Sequence, residues 1–102
     1  MTFLLKAAKI NFEQEKTFYP GRKWRLDFYL PEYKIGIECE GGIWQAGRHN
    51  RAVGFIKDCY KYNAAAEVGI IILRYTTEHI FRQPGQVIEQ IKKVIKRKQN
   101  DF

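Results

Sequence analysis

Three carboxylates stand out in this sequence because they lie in or beside two short apolar runs. Asp27 lies within the run Trp24–Leu30, and Glu38 and Glu40 lie within and just after the run Tyr33–Cys39. Alternating apolar and polar side chains in both runs are typical of half-buried β-strands. Paired as an antiparallel hairpin, the strands bring Asp27 close to Glu38, with Glu40 two residues further along the same face. Close carboxylates repel by about 4 kcal/mol per pair at an effective dielectric of about 20, and a divalent metal removes that penalty. The pattern therefore predicts a metal site, and the surrounding basic residues favour chemistry on phosphates.

The elements that must position these acids are predicted from hydrophobic periodicity and from turn residues. They are a helix over Phe3–Ile10, strands over Glu13–Tyr19, Trp24–Leu30 and Tyr33–Cys39, a loop over Ile43–Arg51, a helix over Ala52–Val68, a strand over Ile70–Tyr75, a short helix over Thr76–Phe81 and a helix over Gln86–Lys98. Pro31–Glu32 forms the hairpin connection, and Gly41–Gly42 ends the second strand of that hairpin. This α-β-β-β-α-β-α order, with the short helix appended to the last strand, predicts the α/β class with a central mixed sheet flanked by helices.

The same periodicity predicts which side chains share a face. The predicted apolar sets are Phe3, Leu4, Ala7 and Ala8 in the first helix; Trp24, Leu26, Phe28 and Leu30 in the first hairpin strand; Phe55, Cys59, Tyr62 and Ala66 in the long helix; and Val87, Ile88, Ile91, Val94 and Ile95 in the last helix. The mostly apolar run Ile70–Tyr75 indicates a strand covered on both faces. Cys39 falls on the apolar side of its strand, as expected for a small core residue.

Composition indicates one globular domain over residues 1–102 with an anionic partner. Eighteen Lys and Arg against eleven Asp and Glu give a net charge of +7, which favours a nucleic acid as partner. Two cysteines are too few to indicate a zinc site or a disulfide framework. No run has the ~20 apolar residues of a membrane span, and the first ten residues do not have a signal peptide's apolar stretch. We therefore expect a cytoplasmic protein without membrane contact (in the host cytoplasm if it is phage-encoded).

Ordered motifs in the first three quarters of the chain carry a family resemblance. Arg25–Phe28 and Ile37–Gly42 resemble the two acidic motifs of the PD-(D/E)XK nuclease superfamily. Lys57–Asn63 and Leu73–Tyr75 follow in the order found in compact phage and bacterial endonuclease-like domains related to the very-short-patch repair endonuclease. The resemblance runs from about Glu15 to Tyr75 and implies a restriction-endonuclease-like fold.

The resemblance also implies residue roles. It implies that Mg²⁺ (or Mn²⁺) is held by Asp27, Glu38 and the Cys39 carbonyl, with Asp27, Glu38, Glu40 and Lys61 as the catalytic set. The motif lysine is replaced by Glu40, so either Glu40 binds metal or steers the attacking water, or a lysine arrives from elsewhere. Lys61 is the first choice because related domains carry an Asp-x-x-basic pattern, here beginning at Asp58. Lys57 is the second choice because it lies four residues away on the same helical face.

Several basic and aromatic residues near the acids are candidates for contact with nucleic acid. These are Arg22, Lys23, Arg25, Trp44, Arg48, His49 and Arg51. The basic residues would hold phosphates, whereas Trp44 would stack on a base, wedge into a duplex or shield the site. Glu15 is an accessory acid in some superfamily members and an ordinary surface residue otherwise.

Together these observations predict a metal-dependent DNA endonuclease of phage or bacterial DNA repair, recombination or processing. One alternative is a nuclease fold that binds DNA without cutting it. Another is a basic RNA-binding module whose acids are structural. Two symmetric cuts would require a homodimer, and the sequence does not decide between a monomer and a dimer.

Overall fold

The computed structural model describes residues 1–41 and 48–100, with side chains described at 1–41 and 52–100. The elements are α1 (Thr2–Ala7), β1 (Glu13–Thr17), β2 (Arg25–Leu30), β3 (Ile35–Glu40), α2 (Arg48–Glu67), β4 (Ile71–Thr76), α3 (Thr77–Arg82) and α4 (Pro84–Asn100). The predicted α/β class and the predicted order of elements are confirmed. In the described residues, no helix has the length and apolar character needed to cross a bilayer.

The sheet contains four strands in the order β1-β2-β3-β4. The pairs β1–β2 and β2–β3 are antiparallel, and the pair β3–β4 is parallel. A parallel pair needs a long crossover, which α2 supplies between β3 and β4. In the β2–β3 register Phe28 faces Ile37, so the next pair along that register is Asp27 and Glu38.

Helices cover both faces of this sheet. One buried cluster joins α1 and α4 to the sheet through Leu5, Phe28, Ile37 and Ile91. A smaller cluster on the opposite face contains Leu26 and Ala65 with Ile70, and it joins α2 to the sheet. The larger hydrophobic core therefore lies under α1 and α4, and the α2 face is less apolar.

Burial alternates along strand β2 as its sequence predicts, but the buried side chains do not all lie on one face of the sheet. Phe28 and Leu30 pack under α1 and α4, whereas Leu26 packs on the α2 side. Leu26 contacts the α2-facing side of Gly36, where its Cδ1 would lie 2.9 Å from an added Cβ. The strand therefore changes its buried face at Asp27. The neighbouring strand is irregular at the same level, since Glu15 has a φ of 52°; such irregularities in strands are common beside active sites.

The predicted buried faces of the first two helices are wrong in part. In α1 Leu4 packs against the core as predicted, but the fully buried residue is Leu5, and Phe3 is 80 % exposed. In α2 the predicted stripe is exposed at Phe55, Cys59 and Ala66 and half-buried at Tyr62, while Ala64 and Ala65 are buried. Small side chains let a helix approach a sheet closely, so the alanine pair packs where the larger aromatic ring would not fit.

Three other boundaries or environments differ from the predictions. The segment predicted as a loop ends in helix, because α2 begins at Arg48; residues 42–47 lie outside the described part. Residues 48–53 contain neither glycine nor proline, and a helix tolerates a single interior glycine such as Gly54. The connection between β2 and β3 is a four-residue turn over residues 31–34, longer than Pro31–Glu32. Finally, β4 is an edge strand and is not covered on both faces, since Ile71 is 41 % exposed.

The predictions for the C-terminal helices hold. Thr76 caps α3, because its side-chain oxygen accepts a hydrogen bond of 3.0 Å from the His79 N–H. The apolar stripe of α4 faces the core, with Val87 and Ile91 fully buried. Cys39 packs against the same core, as its position on β3 predicts.

The contact between Gly36 and Leu26 gives a stability prediction. Gly36→Ala places a Cβ 2.9 Å from the Leu26 Cδ1 in a buried position, and overpacking of this kind costs about 1–3 kcal/mol. We expect a lower free energy of unfolding in urea titrations. The matched control is Gly54→Ala in α2, where an added Cβ meets nothing within 4 Å and which should stabilise by about 0.5–1 kcal/mol. Equal effects of the two substitutions would contradict the close contact.

Candidate active site

The ends of β2 and β3 bring the Glu38 carboxylate to the backbone of Asp27 and the Asp27 carboxylate to the backbone of Cys39. The Glu38 Oε2 accepts a hydrogen bond of 3.4 Å from the Asp27 N–H. The Asp27 Oδ2 accepts one of 2.7 Å from the Cys39 N–H. Beyond the Phe28–Ile37 pair, carboxylate oxygens therefore accept backbone N–H hydrogen bonds in place of the carbonyl oxygens of the neighbouring strand. Since the N–H and C=O of a paired strand residue point the same way, the Cys39 carbonyl is expected to open toward Asp27.

Glu38 is a buried carboxylate held by a lysine from α2. The residue is 6 % exposed, and its Oε1 accepts a hydrogen bond from the Lys61 ammonium in a close ion pair. The two side chains are 8 % and 16 % exposed. Burial raises the pKa of the Glu38 carboxyl above its ordinary value, and the hydrogen bond and charge of Lys61 offset part of that effect. A carboxylate this deep needs such a partner to remain ionised.

Glu40 belongs to a second group of charges built around Arg74 on β4. The Arg74 Nε donates to the Glu40 Oε1 at 2.8 Å, and its Nη2 lies 3.6 Å from the Asp58 Oδ2. Its guanidinium lies over the Tyr62 ring, 4.6 Å from the centroid. Burial lowers the pKa of Arg74, but the hydrogen bond to Glu40 and the charges of Tyr62, Glu40 and Asp58 together outweigh burial, so the pKa is raised overall. Burial, followed by the charge of Glu40, raises the pKa of the Tyr62 hydroxyl well above its usual range.

Glu40 is therefore held by Arg74 and Tyr62. Among the described residues, no group of three or more His, Cys, Asp or Glu side chains is arranged to hold a metal. The oxygen atoms near Asp27 and Glu38 still suit Mg²⁺, which binds through one or two carboxylates and completes its shell with water and substrate phosphates. Glu38 presents separate oxygens to Lys61 and to the Asp27 side.

The other predicted site residues have diverse surroundings. Lys57 is exposed on α2, and Glu15 and Arg25 form an exposed ion pair of 3.8 Å beside Asp27. Arg22 stacks over Trp24 at 5.0 Å from the ring centroid, and Lys23 is exposed. Trp44 and the side chains of Arg48, His49 and Arg51 lie outside the described residues.

Sequence reasoning assigned no role to Arg74 or Tyr62. A signal for Arg74 was available, because it is the only charged residue in the otherwise apolar run Ile70–Tyr75. The parallel register places it beside Glu38 on the neighbouring strand. Tyr62 was assigned to an apolar stripe, and its polar role depends on the orientation of α2 over the sheet.

Comparisons with known proteins agree with the fold. No protein-family model matches the sequence, and no curated protein sequence matches it significantly. Among solved structures, the chain is similar to the catalytic domain of the homing endonuclease I-Bth0305I, with a TM-score of 0.74 and 22 % sequence identity. The match covers 95 % of this chain and 90 % of that domain. At this identity the likeness shows a shared fold.

The ion pair between Lys61 and Glu38 gives a second prediction. Lys61→Met leaves a buried carboxylate without its cation and should destabilise the protein by about 2–3 kcal/mol at neutral pH, somewhat below the cost for a fully buried pair. The raised pKa of Glu38 means that the folded state binds the proton more tightly than the unfolded state. The variant should therefore regain stability as the pH falls toward that pKa.

Urea titrations at several pH values measure this effect. Lys57→Met is the matched control, since Lys57 is an exposed lysine on the same helix and its removal should change stability by no more than about 0.5 kcal/mol. Adding Glu38→Gln to Lys61→Met should recover much of the loss. A pH-independent loss that Glu38→Gln fails to relieve would contradict the charge pairing.

Proposed function

We propose that this protein is a metal-dependent DNA endonuclease that hydrolyses phosphodiester bonds. The observation that carries the proposal is the contact of Asp27 with Glu38 at the strand ends, with the Lys61 ammonium on the second carboxylate. Two acids and a lysine in one part-buried cluster match the requirements of phosphodiester hydrolysis. The fold shared with a homing endonuclease catalytic domain supports the same reading.

In this proposal Asp27, Glu38 and the Cys39 carbonyl hold Mg²⁺ or Mn²⁺. When bound, the ion would polarise the scissile phosphate and lower the pKa of the attacking water. The backbone hydrogen bonds of Asp27 and Glu38 fix their carboxylates on rigid strands, which is the placement that a precise site needs. Glu38 keeps one oxygen on Lys61 and turns the other toward Asp27.

Lys61 is the better candidate for the role of the missing motif lysine. Its ammonium already lies against Glu38, so it can orient a water and offset negative charge that develops on the phosphate. Glu40 accepts hydrogen bonds from Arg74 and Tyr62. Its role in this proposal is therefore a supporting one, in orienting the attacking water. The exposed residues Arg22, Lys23 and Arg25 precede Asp27 and are placed to hold the DNA backbone without reading sequence.

Two other functions are compatible with a basic nuclease-type fold. A DNA-binding module without cleavage would bind duplex or branched DNA equally with magnesium or with chelator. A basic RNA-binding module would prefer RNA in competition with DNA. The Lys61–Glu38 arrangement favours the nuclease, because neither binding module needs a buried acid beside a second carboxylate.

Cleavage assays on labelled duplex, nicked, flapped and four-way DNA test the proposed site. Asp27→Ala or Glu38→Gln should lower the magnesium-dependent cleavage rate by about 100-fold or more, the usual scale for such contributions. DNA affinity in chelator should remain, because these acids do not contribute favourably to phosphate binding. The matched control is Glu89→Gln, which alters an exposed acid on α4 and should cut at the wild-type rate. Wild-type cleavage by either site variant would refute the metal-site assignment.

Metal binding should also stabilise the folded protein, because a cation relieves repulsion between the two acids. At a metal concentration of about 100 times the dissociation constant, the expected gain is about 2.7 kcal/mol. For a domain of this size, each kcal/mol raises the melting temperature by about 4–8 °C. Thermal melts with magnesium, manganese and chelator measure the shift, and Glu38→Gln should lose most of it.

The melts should be repeated with a short duplex, since substrate phosphates can complete the metal shell. Absence of any metal-dependent shift, both with and without DNA, would mean that Asp27 and Glu38 are structural acids.

A further inference from the structure

A basic groove lies away from the candidate active site. It has a volume of about 430 Å³ and lies between the end of α1, the turn that joins β2 to β3, and α4. Three lysines line it, namely Lys9, Lys92 and Lys96, against a single acidic lining residue, Glu32. Tyr33 forms part of its wall. The groove is thus electropositive and has both polar and aromatic lining.

The described residues form no ion pair with the groove lysines. The ion pairs in this part of the chain involve β1, β2, β3, β4, α2 and α3, and none of them includes Lys9, Lys92 or Lys96. By contrast, Lys61 and Arg74, which lie near the acids, are both paired. Ammonium groups that border one groove and have no described ion-pair partner favour an anionic ligand.

The groove and the acids lie on opposite faces of the sheet. Ile95 of the groove packs with the α1 and α4 core, as do Ile35 and Ile37. Glu38 alternates with Ile37 along β3 and contacts Lys61 of α2, on the other face. The groove also adjoins the turn before β3, whereas the acids lie at the end of β3. One straight duplex seated on the acids therefore does not also fill the groove.

We propose that this groove is a second nucleic-acid site, which holds the phosphodiester backbone of a DNA segment other than the one at the acids. This inference rests on the proposed function, because that function identifies the bound polymer as DNA. Ammonium groups from a turn and from successive turns of one helix suit a row of phosphates, which they can contact without reading sequence. Two DNA segments held on opposite faces would make the protein suited to branched or looped DNA.

The chain offers a closely matched pair of variants to test the groove. Lys92→Glu/Lys96→Glu reverses two groove charges on α4. Lys93→Glu/Arg97→Glu makes the same change in charge, at the same spacing, one residue along; Lys93 borders a different depression that includes Gln86 and Gln90. Any effect of net charge alone should be equal in the two variants.

The Lys9→Gly variant distinguishes an effect of groove charge on DNA binding from an effect on folding. Lys9 has a φ of 57°, in the left-handed region that favours glycine, so this change removes a groove cation while keeping or raising the melting temperature. It should weaken DNA binding nonetheless. Glu32→Gln removes the opposing acid of the groove and should strengthen binding.

The first readout is binding of a labelled duplex in chelator, followed over a range of salt concentrations. Affinity falls as salt rises, and each lost phosphate contact reduces the steepness of log affinity against log salt by about 0.9. The groove pair should therefore make this dependence shallower by about 2, and the control pair should change it by clearly less. The second readout is energy transfer between two differently labelled duplexes, which reports whether the protein brings them together.

We expect the wild type and the control pair to bring two duplexes together and the groove pair to lose that ability. Equal losses in both pairs, or bridging retained by the groove pair, would overturn the second site. So would a preference of the groove for duplex RNA or for vesicles of anionic lipid in competition. Magnesium-dependent cleavage of the duplex, nicked, flapped and four-way DNAs is scored separately. Bridging without cleavage would refute the nuclease and leave the groove in place. Cleavage without groove-dependent bridging would refute the groove and leave the nuclease in place.

Discussion

The buried carboxylate of Glu38 at the end of the central strand is the constraint around which the site is arranged. Its pKa is raised by burial, so its ionised form depends on a nearby cation. Lys61 can supply that cation only if α2 presents a polar side to the end of the sheet. The helix therefore turns Lys61 and Tyr62 toward the acids and packs on the sheet through Ala64 and Ala65. The exposure of Ile56, on the side of α2 opposite Ala65, follows from this orientation. Phe55 is exposed although it lies two turns before Tyr62 on the same face of the helix.

A second constraint is the parallel pairing of β3 with β4, which places Arg74 beside the two glutamates of β3. Arg74 pairs with Glu40 and Asp58, and Lys61 pairs with Glu38. The basic side chains thus divide the acids into two groups instead of neutralising a single cluster. Asp27 is fixed by the Cys39 N–H. The part of the site with Asp27 and Glu38 keeps more negative than positive charge, as expected for a place that accepts a cation.

The sequence predicted the order of elements, the sheet hairpin and the nearness of Asp27 to Glu38, because each depends on local periodicity and short turns. The family resemblance also singled out Lys61 ahead of Lys57 as the replacement for the motif lysine; Lys61 contacts Glu38, and its catalytic role stays a prediction. Sequence reasoning failed where tertiary contacts decide the outcome. Alternation along β2 predicted one face for Leu26 and Phe28, but the strand changes face between them. Helical periodicity predicted an inward Phe55, but Phe55 is exposed although Tyr62, two turns along the same helix face, contacts Glu40. The role of Arg74 needed the register of two strands that are far apart in sequence.

The distribution of charge also explains how a protein with a net charge of +7 can contain an acidic site. The acids lie on the α2 face, where Lys61 and Arg74 form ion pairs with Glu38 and Glu40. The cations of Lys9, Lys92 and Lys96 lie on the other face, separated from the acids by the sheet and its apolar core. Exposed charges interact weakly beyond a Debye length of about 8 Å at physiological salt. In the two proposals, the basic groove can therefore attract a polyanion without neutralising the acids, and the proposed metal site at the acids can accept a cation without weakening the groove.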